Sequence, residues 1–228
     1  MSSGIRPIAL HYLFDVNCYL VETGDGHVLI DTGLSRRRPV LEAELEGAGC
    51  GRGSLSLIVL THAHTDHAGN CAYLREKFGS RIAMHRGDLG KVERGEMFWK
   101  PKGEGSLGTT LAKLAASLIG MGKFDAFEPD VLLEDGQDLS DYGLDARALH
   151  FPGHSPGSAG ILTSAGDLFC GDLLTNTRKP ERNSLVDDAE EMDASIEKLR
   201  TLGIRTVYPG HGAPFPIELL MGEPGAAR

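Results

Sequence analysis

Short uninterrupted apolar runs and helical apolar spacings alternate along this 228-residue chain. Leu55–His62 (LSLIVLTH) is apolar almost to its end, which predicts a strand covered on both faces. Val16–Glu22 (VNCYLVE) and His27–Gly33 (HVLIDTG) flank a TGDG turn and predict a hairpin. Leu34–Gly47 puts Val40, Leu41 and Leu45 among charged residues at helical spacing, with Gly47 and Gly49 as the stop. A second helix is expected from Asp66 through Tyr73, Leu74 and Phe78 to Gly79, followed by a strand at Arg81–His85. Later come the strand-like runs VLLEDG, DARALHFPG, SAGILTS and DLFCGD, and a helix over Asp187–Gly203. That helix is acidic at its start and basic at its end, as the helix dipole favours. IRTVYPGHG is the last strand, with His211 at its tip. Strands, a helix or two, then the same again predict two packed sheets with helices outside, an α+β class.

Residues 86–127 break the pattern. This stretch is rich in Gly and Lys and holds an apolar stripe, Leu107, Leu111, Leu114, Ala115, Leu118 and Met121, at helical spacing. It reads as a helical cap inserted into one domain spanning residues 1–228.

Composition narrows the function classes. A net charge of −9 argues against nucleic-acid or anionic-membrane partners, which need a basic footprint. No apolar run approaches a membrane span, and the N-terminus lacks an apolar signal core. Cys18, Cys50, Cys71 and Cys170 are scattered without a CxxC, so reduced thiols and a cytoplasmic location are expected.

The chemistry concentrates in THAHTDHAGN, Thr61–Asn70. His62 and His64 are two apart, so in an extended segment both reach the same side and one ion. Asp66 and His67 lie where the chain turns into a helix and face a different point, so two neighbouring ions are expected. Three further donors follow strand ends and adjoin glycine: His154 in FPGHSPGS, Asp172 in FCGDLL and His211 in YPGHGAP.

The ordered series His62-x-His64-x-Asp66-His67, His154, Asp172, His211, with NCYLVE and LIDTG near the N-terminus, resembles the metallo-β-lactamase superfamily in its glyoxalase II-like hydrolase branch. The resemblance implies an αββα four-layer sandwich with metals at one edge of the sheets. It implies that His62, His64 and His154 hold one cation, that Asp66, His67 and His211 hold another, and that Asp172 bridges them. Asp31 in DTG would orient ligands from behind, or serve only as a turn former. The cations would be two divalent ions, zinc first, with iron or manganese compatible.

The implied reaction is attack of a metal-bridging hydroxide, aimed by Asp66, on a small thioester or ester. A lactonase of the same fold is the alternative, and a one-iron sulfur dioxygenase a further one. The chain stops 17 residues after His211, without the helical C-terminal region that glyoxalase II uses for glutathione. Substrate contacts are therefore sought in Phe98, Trp99, Lys100 and Lys102 of the cap, and in Arg178, Lys179 and Arg182 beyond the bridging aspartate. Of the remaining histidines, His11, His27, His85 and His150, His85 is expected nearest the cleft. The partner is a small molecule, and the apolar stripe leaves a homodimer open.

Overall fold

The computed structural model of the protein describes residues 4–99 and 121–221. Among the described residues, twelve strands form two mixed sheets. The first runs β1 (Ile5–His11), β2 (Asp15–Thr23), β3 (Gly26–Ile30), β4 (Leu55–Leu60), β5 (Arg81–His85), β6 (Val131–Leu133) in spatial order. Its first three strands are antiparallel, with β2 and β3 closing the expected hairpin at Thr23↔Gly26, and β3 to β6 are parallel. The second has the order β12 (Phe215–Pro216), β11 (Thr206–Gly212), β9 (Asp167–Asn176), β8 (Ala159–Thr163), β7 (Ala146–His150), with β10 (Glu181–Arg182) paired to β9.

Alternation along the strands feeds three cores. On β4, Ile58 and Leu60 pack towards α1 (Arg38–Gly47) and α3 (Cys71–Phe78), meeting Leu41, Leu45, Leu74 and Phe78. Leu57 and Val59 point the other way, between the sheets, to meet Ile161 and Phe169. That double burial is why β4 reads as one apolar run. The outer face of the second sheet packs Leu149, Leu168 and Cys170 against Met192 of α5 (Ala189–Lys198). The layers are helix, sheet, sheet, helix, as predicted. All four cysteines are free and buried, and no helix among the described residues is long and apolar enough to cross a membrane.

Three helix boundaries differ from the sequence reading. The helix expected over 66–79 is two pieces, α2 (Thr65–Ala68) and α3. A Cβ on Gly69 would lie 2.6 Å from the carbonyl oxygen of Gly33. Buried Asn70 turns its amide to the carbonyls of Thr32 and Leu34, at 2.7 and 3.1 Å. The chain thus breaks the helix to dock the metal-motif loop onto the DTG turn. The helix expected from Asp187 starts at Ala189 because the Asp188 side chain accepts hydrogen bonds from the backbone N–H of Glu190 and Glu191. The helix expected over 34–47 opens with a 3₁₀ turn, and Pro39 in the first turn sets where α1 begins.

Both ends of the expected cap are built into the framework. Val92 on α4 (Leu89–Arg94) and Phe127 are buried in the first core. The remainder, residues 100–120, including all of the apolar stripe but Met121, lies outside the described residues.

Candidate metal centre

The donors named from the motif gather on one edge of the paired sheets; Asp172, expected just past a strand end, instead lies within β9, which runs on to Asn176. β4 delivers His62 and His64, the short α2 carries Asp66 and His67, β7 leads to His154, β9 contains Asp172, and β11 contains His211. The two sheets are tied there by Tyr19 Oη and Asn17 Nδ2, which both donate to the Pro209 carbonyl, at 2.7 and 3.0 Å. Gly210 is needed for closeness, since a Cβ there would lie 2.5 Å from Asp172 Oδ1 and 2.7 Å from His67 Cε1.

His62, His64 and His154 converge. His154 Nε2 lies 3.1 Å from His62 Nε2 and 3.0 Å from His64 Nδ1. On the other side, His211 Nε2 is 3.4 Å and His67 Nε2 3.7 Å from Asp66 Oδ2. Asp172 stands between: its Oδ2 is 3.5 Å from His154 Nε2 and 3.4 Å from His211 Nε2, and its Oδ1 is 3.4 Å from His67 Nε2. Three groups of donors within cation-chelating reach result: His62–His64–His154, His62–His67–Asp172 and Asp66–His67–His211.

Hydrogen bonds on the far ring nitrogens fix which nitrogen points inward. His154 Nδ1 donates to the Leu185 carbonyl at 2.6 Å, and His211 Nδ1 to the Asp15 carbonyl at 2.7 Å. Asp31 does the same work twice. Its Oδ2 accepts from His67 Nδ1 at 2.8 Å and from the Thr61 hydroxyl at 2.7 Å, and that hydroxyl oxygen in turn faces His62 Nδ1 at 3.1 Å. Asp31 is both orienter and turn former, with a left-handed φ of 58° that aspartate tolerates better than most residues. In each of these four rings Nε2 faces the centre.

The electrostatics split the centre. Burial, then the neighbouring imidazoles, hold His62 well below its ordinary range, and burial followed by His154 and Lys91 brings His64 down to about 3. Burial also opposes charge on His67, but Asp31, Asp172 and Asp66 outweigh it and raise His67 well above its usual value. For His211, burial is outweighed by Asp172, giving about 10. Burial acts against ionised Asp172 and Asp66 as well, yet the imidazoles of His211 and His67 keep both below the usual carboxylate range.

These residues fit cations. His67 Nε2 and Asp172 Oδ1 are buried without a hydrogen-bond partner, although they face each other. Such orphans are costly unless a charge joins them. Three imidazoles brought together by bare nitrogens make the same demand.

A support that the sequence reading missed is Asp88, buried just after β5 in the stretch assigned to the cap. Its Oδ2 accepts from the Ala63 N–H at 2.9 Å and from Ser155 Oγ at 2.7 Å, so it pins the His62–His64 loop to the His154 loop. Its Oδ1 meets buried Lys91 at 2.9 Å. The available signal was its place beyond a strand end, like Asp31. Ser155 is thereby a structural hydroxyl.

A cavity of about 800 Å³ opens over the centre, lined in part by His64, Asp66, His154, Asp172 and His211. Phe98 lines it, whereas Trp99 packs on Gly90 beneath the Arg94 guanidinium. Arg178 and Lys179 are exposed beside it and are not among the lining residues, and Lys100 and Lys102 lie outside the described residues. Arg182 is paired with Asp193. His85 does not line the cavity and stacks on His150, ring centroids 3.7 Å apart.

The family model for the metallo-beta-lactamase superfamily matches residues 11–211. The chain is 26% identical over 227 residues to the Beta-lactamase-like protein 2 homolog of Drosophila melanogaster, covering 92% of this chain and 62% of that protein. It is 29% identical over 202 residues to the atrochrysone carboxyl ACP thioesterase of Aspergillus fumigatus, covering 86% and 50% respectively. To the hydroxyacylglutathione hydrolase GloC of Haemophilus influenzae it is 28% identical over 164 residues, covering 71% and 68%. The chain thus spans half to two thirds of the length of these relatives. Among solved structures it is similar to TTHA1623 in a di-iron-bound form, with 32% identity, a TM-score of 0.72, and coverage of 95% of this chain and 97% of that one.

Proposed function

The chain belongs to the metallo-beta-lactamase superfamily, and from that premise we propose that it is a metal-dependent hydrolase with a paired-cation centre, cleaving an ester or thioester. His62, His64 and His154 would hold one divalent cation, Asp66, His67 and His211 the other, and Asp172 would be shared. The observation that carries this is Asp172, whose carboxylate faces donors of both groups within 3.5 Å. When bound, the cations supply a nucleophilic water at neutral pH and a Lewis acid for the carbonyl oxygen.

The rest falls to the chain's own residues. Asp66 lines the cavity and stays ionised, so it accepts a hydrogen bond from a water and aims it at a carbonyl carbon. The outer hydrogen bonds to Asp31, Asp15 and Leu185 hold the rings still. No serine or cysteine is needed, in keeping with the buried, hydrogen-bonded Ser155. The thioester reading draws support from the thioesterase and the hydroxyacylglutathione hydrolase among the relatives. Zinc is the proposed cation, with iron next given the di-iron neighbour.

The test is hydrolysis of S-lactoylglutathione and a series of simple thioesters and esters by zinc-loaded protein, against a metal-free blank. Metal-dependent turnover of at least one substrate at about 1 s⁻¹ or faster is expected. Turnover of none would overturn the reading.

A further inference from the structure

We infer that the acyl group this site accepts is uncharged, apolar and larger than acetyl or lactoyl; the inference rests on the hydrolase reading above and narrows it to a substrate class. The cavity's volume, about 800 Å³, is that of a site for a drug-sized molecule. Away from the metal donors its wall carries an apolar set, Phe14, Met97, Phe98, Met121, Leu185 and Val186, beside the uncharged polar Thr175, Thr177, Asn183 and Ser184.

Two of these stand at the rim and face solvent. Leu185 is 73% exposed and Phe14 38% exposed, and Leu13 beside Phe14 is exposed too. Large apolar side chains gathered at the mouth of a cleft mark a surface that an apolar ligand covers. The backbone explains why they are held there. The Leu185 carbonyl and the Asp15 carbonyl next to Phe14 are the acceptors that fix His154 and His211. The two segments that present the apolar rim are therefore the same two that aim a ligand histidine, and the rim is registered to the reacting centre.

Charge points the same way. Among the described residues lining the cavity, Lys91 is the one lysine or arginine, and it is buried against Asp88 at 2.9 Å with Asp187 at 3.9 Å. The other charged lining residues away from the donors are Asp15, Glu181 and Asp187. A glutathione thioester, with its own carboxylates, meets acids at this mouth. An uncharged hydrocarbon or aryl acyl group meets Leu, Phe and Met.

The experiment has a binding arm and a kinetic arm. Acetate, butyrate, hexanoate and octanoate, the acid products of such esters, are titrated calorimetrically into zinc-loaded protein. In parallel, kcat/KM is measured for the matching p-nitrophenyl esters and for S-lactoylglutathione. Affinity and kcat/KM are expected to rise about two- to fourfold per added methylene, the upper figure being full burial of a CH₂ group. The variant Phe98→Ser, at a half-buried lining position outside the hydrogen bonds that fix the donor histidines, should lessen that slope while leaving zinc content unchanged. Affinity that is flat or falls with chain length overturns the inference, as does a glutathione thioester turned over faster than the octanoyl ester. Affinity rising with chain length while no ester or thioester is hydrolysed keeps the apolar site and overturns the hydrolase reading instead.

Discussion

The two halves of the donor cluster are built from similar residues and behave oppositely. The His62–His64–His154 half has no carboxylate of its own; burial and mutual repulsion keep His62 and His64 neutral at ordinary pH. The Asp66–His67–His211 half has Asp66 within it and Asp31 and Asp172 against it, and they draw protons onto His67 and His211. His62 and His64 are already in the form a cation requires. In the second half, protons stand where a cation would, so binding there is an exchange. On the proposed two-cation reading, chemically alike ligands would acquire different loading behaviour from the carboxylates placed behind them.

Asp172 joins the halves, so Asp172→Ala should have the largest effect. Metal content measured by mass spectrometry should fall from about two zinc ions per chain towards one, and kcat/KM should fall by more than the 10- to 100-fold usual for a support behind a ligand. Undiminished turnover with one bound ion would break the comparison, because the second half would then contribute nothing to the reaction.

A sharper cut separates the supports. Asp31 reaches both halves, His67 directly and His62 through Thr61. Asp88 reaches only the loops of the first half. Asp31→Asn should weaken both zinc affinities by about 10- to 100-fold in chelator competition. Asp88→Asn should weaken chiefly the first. It should also cost metal-free stability by about 3 kcal/mol, since Lys91 is left buried beside a neutral partner. Equal effects of both variants on both affinities would show that the halves are not separately supported.

What could be read from the sequence follows the same line. His62, His64, Asp66 and His67 were legible because their spacing is local, the first pair in the extended segment after β4 and the second on α2. The four layers were legible because β4 is apolar on both faces and the flanking helices on one. The break at Gly69 was not, because what enforces it, the Gly33 carbonyl and the Asn70 bonds to the DTG turn, lies more than 30 residues away in the chain. Asp88 was hidden for the same reason: its partners are Ala63 and Ser155. The acceptors for His154 and His211 are backbone carbonyls, which any residue type supplies. Asp15 and Leu185 therefore carried no signal at all.

The effect that tests the comparison most directly is on pH dependence. His211 has a folded-state pKa raised to about 10 from an ordinary 6.5, and His67 is raised as well. Their contribution to metal-free stability is complete below pH 6.5 and is lost as pH rises towards 10. His64 is depressed to about 3, with His62 below its ordinary value too. Below pH 6.5 the unfolded chain takes up protons that these two refuse, so stability also falls as pH drops towards 3. The metal-free protein should therefore be most resistant to urea near pH 6.5. Zinc should act differently on the two halves. At pH 8 the first equivalent should release almost no protons from His62 and His64, and the second should release up to about two, from His67 and His211. The second affinity should rise with pH while the first stays level. Calorimetric titration in two buffers of unlike ionisation heat measures both counts. Equal proton release for both equivalents would mean that the carboxylates behind His67 and His211 do not set the protonation of the empty site.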